Sequence, residues 1–190
     1  MSALALILID RGYSISGSDE RNNQTIQNLI ANGVKFFHKQ SSENIISICA
    51  QAENQPVVVT STAIPINNPE LQAAKAANLE IWHRSDLLAK LIKEQKSILV
   101  AGSHGKTTTS TFITTLLAAA GKDPTAAIGG LVPYYNSNSH SGKGGLLVAE
   151  ADESDGSLVK FHAELGLITN LELDHIDHYH DITHLIQTMN

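Results

Sequence analysis

A chain of 190 residues with 42% apolar and 17% charged residues has the composition of an ordinary globular protein, one domain or two small ones, and not of a disordered segment. A formal charge of −6 with no basic run excludes broad nucleic-acid binding, and a single cysteine, Cys49, excludes an internal disulfide and fits a reducing compartment. The apolar run at residues 3–9 is too short to cross a membrane and lacks the flanks of a signal peptide, so no membrane insertion is expected and the cytoplasm is the expected location.

The first half alternates helix and strand signals. Residues 2–11 predict an apolar helix stopped by Gly12, then a short strand over 13–16 and a polar turn, Gly17-Ser18-Asp19-Glu20. A helix is expected over 25–31, with Ile26, Leu29 and Ile30 on one face and Asn32-Gly33 at its end. The β-branched run Val57-Val58-Val59-Thr60 predicts a buried strand, and Asn68-Pro69 opens another helix. Ser85 is the expected cap of a further helix that turns Leu87, Leu88, Leu91 and Ile92 inward. The polar stretch Lys93-Glu94-Gln95-Lys96 then predicts a hinge, dividing the chain into units 1–94 and 95–190.

Stronger strands come next, over 97–101, 146–150 and 165–170, with a helix after the first of them that runs to about Ala120 and stops at Gly121. That helix is expected to bury Phe112, Ile113, Leu116, Leu117 and Ala120, while the Asn-, Ser- and Gly-rich stretch 134–145 predicts a mobile loop. Alternating strands and helices imply an α/β fold with mainly parallel sheets, in which ligands gather at the carboxyl ends of the strands.

The strand at 97–101 breaks into Gly102-Ser103-His104-Gly105-Lys106-Thr107-Thr108-Thr109. Phosphate can lie against backbone N–H groups only where side chains do not intrude, and Gly102 and Gly105 clear that space. Lys106 adds a charge, the helix N-terminus adds about half a charge more, and Thr107 stands where such loops hold magnesium. The general spacing asks for a glycine where Val100 stands, so the loop is two residues short; an ordinary strand-to-helix turn with a solvated lysine is the plainer alternative.

Glu150-Ala151-Asp152-Glu153-Ser154-Asp155 ends the next strong strand with four carboxylates in six residues. Glu150, at the strand end, is the candidate oxygen ligand for magnesium; a solvated acidic turn is the other reading. Asp174-His175-Ile176-Asp177-His178-Tyr179-His180-Asp181 reads as a histidine-carboxylate turn facing the same ion or the phosphate being transferred. Its histidine spacing suits neither a two-histidine zinc helix nor a cysteine-containing finger, and a surface loop stays open as an alternative.

Together the glycine loop, the block Glu150 to Ser157 and the turn Asp174-His175-Ile176-Asp177 resemble the Mur ligase family. Further matches are Met1-Ser2-Ala3-Leu4-Ala5, Arg11 to Asp19, Val59 to Ile64, and Arg84-Ser85-Asp86-Leu87-Leu88; Ser103 stands where the family more often has threonine. The shortened loop is that family's own form. The resemblance implies a Rossmann-like domain for UDP-sugar at 1–94, without its first strand and glycine turn, and the first part of a P-loop NTPase-like central domain at 95–190.

It further implies an ATP- and Mg2+-dependent ligase of peptidoglycan synthesis that joins L-alanine to UDP-N-acetylmuramate through an acyl phosphate. Lys106, Glu150 and His175 are then the catalytic candidates, Thr107, Glu150 and His175 the metal candidates, and Gly102, Ser103, His104, Gly105, Lys106, Thr107 and Thr108 the nucleotide loop. Ser18, Asp19, Ser61, Thr62, Ala63 and Ile64 face the UDP part, and Gly129-Gly130 lines a passage between domains. The third domain of the family is not in this sequence. A separately encoded remainder of the ligase is therefore an expected partner, inactivity is expected for the chain by itself, and a tripeptide-recycling ligase or a non-catalytic nucleotide-binding remnant are the alternatives.

Overall fold

The computed structural model describes residues 1–151 and 156–172. Two compact units emerge, Met1–Leu87 and a second beginning at Leu88. The first carries helices α1 (Ser2–Asp10), α2 (Gln24–Ala31), α3 (Ser42–Gln51) and α4 (Pro69–Ala76) and the start of α5 (Arg84–Glu94), with strands β1 (Ser16–Ser18), β2 (Lys35–Phe37), β3 (Val57–Thr60) and β4 (Glu80–His83). β1 pairs with β2 and β3 with β4, both parallel. Ala3, Leu4, Leu6 and Ile7 of α1 are buried, as are Ile26, Val34, Ile45, Leu71, Ala74 and Leu87.

The glycine stops act as expected, for a local reason. At the end of α1 the Gly12 N–H donates to Ile9 O and the Tyr13 N–H to Leu8 O; Gly33 and Val34 close α2 the same way. Each pair satisfies two carbonyls that a helix end leaves open, and the turn needs the positive φ that glycine adopts freely. Because residues 11–13 are spent in this turn, the first strand lies at 16–18 rather than 13–16, and Ser18 belongs to the strand instead of a turn. Val57, expected buried, is 43% exposed, on a strand whose described pairing is with β4 alone. Ser85 is not a cap: it sits buried inside α5 with Oγ 2.7 Å from His83 Nδ1, and Asp86 Oδ2 accepts the His83 N–H instead.

The second unit is built on a five-stranded sheet in the order β7-β6-β8-β5-β9, with β5 (Lys96–Ala101), β6 (Thr125–Val132), β7 (Ser137–His140), β8 (Leu146–Glu150) and β9 (Leu165–Ile168). All pairings are parallel except β7 against β6. Val100, Leu147, Val148, Ala126 and Val132 are fully buried. The inner strands of such a sheet are covered on both faces, so β8 and the end of β5 read as unbroken apolar runs. Helix α6 (Lys106–Ala119) succeeds β5 and packs on β5, β6 and β8.

Two expectations fail here. Phe112 and Leu116 are 67% and 60% exposed and Ala120 is exposed, while Ser110 and Thr114 are fully buried. The helix buries small hydroxyl residues where it packs on the sheet. The stretch 134–145 is not a loop throughout: residues 137–140 form β7, and Asp123 anchors the return from β7 toward β8. Asp123 Oδ1 lies 2.7 Å from His140 Nε2, its Oδ2 accepts the Lys143 N–H, and its carbonyl accepts the Gly144 N–H. A β-carbon at Gly142 or Gly144 would strike the backbone of 122–124.

The hydrogen bond from His140, then the Lys143 amide, holds the Asp123 carboxyl below the usual carboxylate range. With its folded-state value under the unfolded one, the contribution of Asp123 is present above the unfolded value and is lost as pH falls through the folded one. Asp123→Asn is therefore expected to lower stability near neutral pH, the gap from the parent closing below about pH 4. Urea melts across that range check this, and a gap that widened toward acid would refute it.

Candidate functional site

The loop between β5 and α6 is held from outside by the chain leaving β9. Asn170 O accepts the Ser103 N–H at 3.1 Å, and Asn170 Oδ1 accepts the His104 N–H at 2.8 Å. Thr169 Oγ1 lies 2.6 Å from His104 O and 3.2 Å from Ala101 O. The Ser103 hydroxyl donates to Glu172 O and accepts the Glu172 N–H. At Gly102, whose φ is +127°, a β-carbon would collide with Thr169 Oγ1 and lie 2.8 Å from Asn170 O.

Ser103 and His104 are thus engaged with β9's exit, which assigns them to shaping the loop. The first turn of α6 follows directly on these residues. The first ladder bond runs from Thr109 N–H to Gly105 O, so the N–H groups of Lys106, Thr107 and Thr108 precede it. Gly105 caps this helix with φ +80°. The Lys106 ammonium donates to the carbonyls of Gly102 and Ser103, which curls it over the loop.

Glu150 ends β8 beside β5, in register with Val100. Its carboxylate spans two residues of α6: Oε2 accepts from Thr107 Oγ1 at 3.2 Å, and Oε1 lies 2.7 Å from Ser110 Oγ. Two neighbouring oxygen ligands of octahedral magnesium, each at about 2.1 Å, stand about 3 Å apart. Thr107 Oγ1 and Glu150 Oε2 fit that spacing, and magnesium ordinarily keeps several waters, so two protein oxygens suffice. Among the described residues no cluster of three or more His, Cys, Asp or Glu could hold a metal. His175, with Asp152, Glu153, Ser154, Asp155, Asp174 and Asp177, lies outside the described residues.

The sequence singles out Gly129 and Gly130 only through the resemblance, as lining a passage, and not for the part they take beside Thr107 and Glu150. Gly129 and Gly130 lie within β6, where a β-carbon on the first would come 2.8 Å from Glu150 Oε2 and one on the second 2.6 Å from Thr107 Cγ2. They make room for the Thr107–Glu150 pair. A glycine pair inside a strand pattern was the available signal. Nothing in the sequence pointed to Ser110 or Thr169.

In the first unit, Ser18 Oγ donates to Glu70 Oε2 at 2.5 Å, and Asn44 Nδ2 donates to Glu70 Oε1 at 2.7 Å. Asp19 is gripped by Arg21 through backbone and guanidinium, which lowers its carboxyl below the usual range, chiefly through the side-chain hydrogen bond. Ser61 to Ile64 form a turn after β3, the Ile64 N–H donating to Ser61 O, with Thr62 and Ala63 exposed. The Ser18 hydroxyl thus bonds to α4, whose Glu70 in turn bonds Asn44 of α3.

Residues 1–96 match the Mur ligase family, catalytic domain, and residues 100–190 match the Mur ligase middle domain. The UDP-N-acetylmuramate–L-alanine ligase of Prochlorococcus marinus (strain MIT 9303) is 67% identical over 189 residues, which are 100% of this chain and 39% of that protein. The ligase of the same name from Synechococcus sp. (strain CC9902) is 65% identical, with 40% of its length covered. The chain thus spans about two fifths of the length of these curated relatives. The crystal structure of a UDP-N-acetylmuramate–alanine ligase from Thermotoga maritima superposes with a TM-score of 0.88 at 26% identity, covering 99% of this chain and 43% of that one. The UDP-N-acetylmuramate:L-alanyl-γ-D-glutamyl-meso-diaminopimelate ligase of Neisseria meningitides shares the fold at a TM-score of 0.84 and 22% identity, over 100% and 65% of the two chains. No described helix is long and apolar enough to cross a membrane.

Proposed function

We propose that this chain, which belongs to the Mur ligase family, supplies the nucleotide-sugar-binding and ATP-binding parts of a cytoplasmic ligase of peptidoglycan synthesis joining L-alanine to UDP-N-acetylmuramate. Residues 1–94 take the UDP-sugar, and residues 95–190 take ATP with Mg2+. The observation that carries this reading is the Thr107–Glu150 pair set beside the Lys106 loop at the carboxyl edge of a parallel sheet. The 67% identity to a ligase named for these two substrates favours this acceptor and donor over other members of the family.

The reaction joins two anions before it makes an amide. An oxygen of the lactyl carboxylate attacks the γ-phosphorus of ATP and ADP leaves; the alanine nitrogen then attacks the carbonyl carbon and phosphate leaves. Lys106 neutralises charge on the phosphates, and the first-turn amides of α6 orient them. Thr107 and Glu150 hold magnesium, which screens the remaining charge when bound. His175 is assigned near the acyl phosphate or a second ion. Ser18, Asp19 and the turn Ser61 to Ile64 receive the UDP part, with Glu70 and Arg21 fixing the first two.

The test is ADP release that requires UDP-N-acetylmuramate and L-alanine together, with the chain alone and with the remainder of the ligase supplied in trans. Release is expected in the second case and not the first. Release with the tripeptide in place of alanine would reassign the acceptor, and Mg-ATP binding without release in either case would leave a nucleotide-binding remnant.

A further inference from the structure

Ser110 lies on α6 one turn past Lys106, fully buried, and its hydroxyl oxygen has three oxygen neighbours: Lys106 O at 2.7 Å, Thr107 O at 3.3 Å and Glu150 Oε1 at 2.7 Å. All three are acceptors, and a serine hydroxyl has one proton. It can satisfy only one of them at a time. In an α-helix the Lys106 carbonyl already receives the Ser110 N–H, so it loses little without the hydroxyl. The carboxylate gains more, because a hydrogen bond to a charged acceptor is about twice as strong as a neutral one.

We propose that Ser110 is a positioning residue for the metal site: its proton goes to Glu150 Oε1, and this turns Oε2 toward Thr107 Oγ1. The inference rests on reading Thr107 and Glu150 as magnesium ligands. Without this bond the carboxylate can rotate about its last side-chain torsion, which is broad and soft. Gly129 does not hold it; that position only leaves room. The bond also ties the ion's ligand on β8 to the helix turn that presents Lys106 to phosphate, joining the two halves of the site through one hydroxyl.

Mn2+ serves as the probe, its binding to the chain in the presence of ADP read by electron paramagnetic resonance. Ser110→Ala is expected to raise the Mn2+ dissociation constant about tenfold, the usual effect of losing a group that orients a ligand. ADP affinity at saturating Mn2+ is expected to stay within about threefold of the parent's, since the phosphate amides are untouched. Ser110→Cys keeps the volume with a weak donor and should behave like Ala, whereas Ser110→Thr restores the hydroxyl and the affinity. Parent-like Mn2+ binding in Ser110→Ala overturns the proposal, as does equal loss in the Ala and Thr variants, which would show that volume rather than the proton matters. If instead Glu150→Gln leaves Mn2+ binding unchanged, the ligand assignment itself falls.

Discussion

Lys106→Ala is expected to weaken Mg-ATP binding by about 10- to 100-fold, the loss of charge-assisted hydrogen bonds of about 1.5–3 kcal/mol in a site where nothing else in the described loop carries a permanent positive charge. The described loop, 102–109, holds Lys106 as its one Lys or Arg, and the ammonium is kept over it by the Gly102 and Ser103 carbonyls. Binding should shift from those carbonyls to phosphate at small structural cost, because the side chain is already curled in place. Isothermal titration with ADP and ATP measures the loss. Unaltered affinity in this variant would remove the loop from the nucleotide site.

Gly102→Ala should be as damaging through a different link, the backbone. Its φ of +127° lies where a side chain is strained by about 1–3 kcal/mol, and the new methyl would collide with the Thr169 hydroxyl and the Asn170 carbonyl. Those two residues carry the bonds that close the loop onto β9, so relief of the clash must open the loop. The second unit is expected to lose about 2–4 kcal/mol of stability and the chain its nucleotide binding together. Denaturant melts with parallel nucleotide titrations decide it. Thr169→Ala in the Gly102→Ala background clears the hydroxyl but is not expected to rescue, since the Asn170 carbonyl remains in the way.

The range of each interaction decides whether it is legible in the sequence. Gly12, Gly33 and Gly121 end their helices because the closing bonds involve only residues within six positions. The strand–loop–helix order around Gly102 to Thr109 is equally local, and it places Lys106 and Thr107 at a helix start whatever packs around them. The stretch containing β7 reads as a loop because Ser137-Asn138-Ser139-His140 has no apolar alternation; it is a strand because β6 offers a ladder and Asp123 anchors the return.

The side of α6 that meets the sheet is hidden from periodicity for a related reason. The pattern marks Phe112 and Leu116 as a core stripe, yet Ser110 and Thr114 face inward. A hydrophobic pattern reports which residues tolerate burial, not how close the neighbouring strand will come. The glycines at 129 and 130 leave room for Thr107 and the Glu150 carboxylate, and the buried Ser110 hydroxyl meets that carboxylate.

The sequence by itself determined the α/β alternation, the glycine-led helix start that carries Lys106 and Thr107, and the kinship to the Mur ligases, because each is written in residues adjacent along the chain. The tertiary structure alone decided that Glu150 meets Thr107 across 43 positions and Ser110 across 40, and that Thr169 and Asn170 brace the loop from 65 or more positions away. Hydrogen bonds reach about 3 Å, so pairings this remote in sequence exist only once the parallel sheet has brought the ends of β5, β8 and β9 side by side.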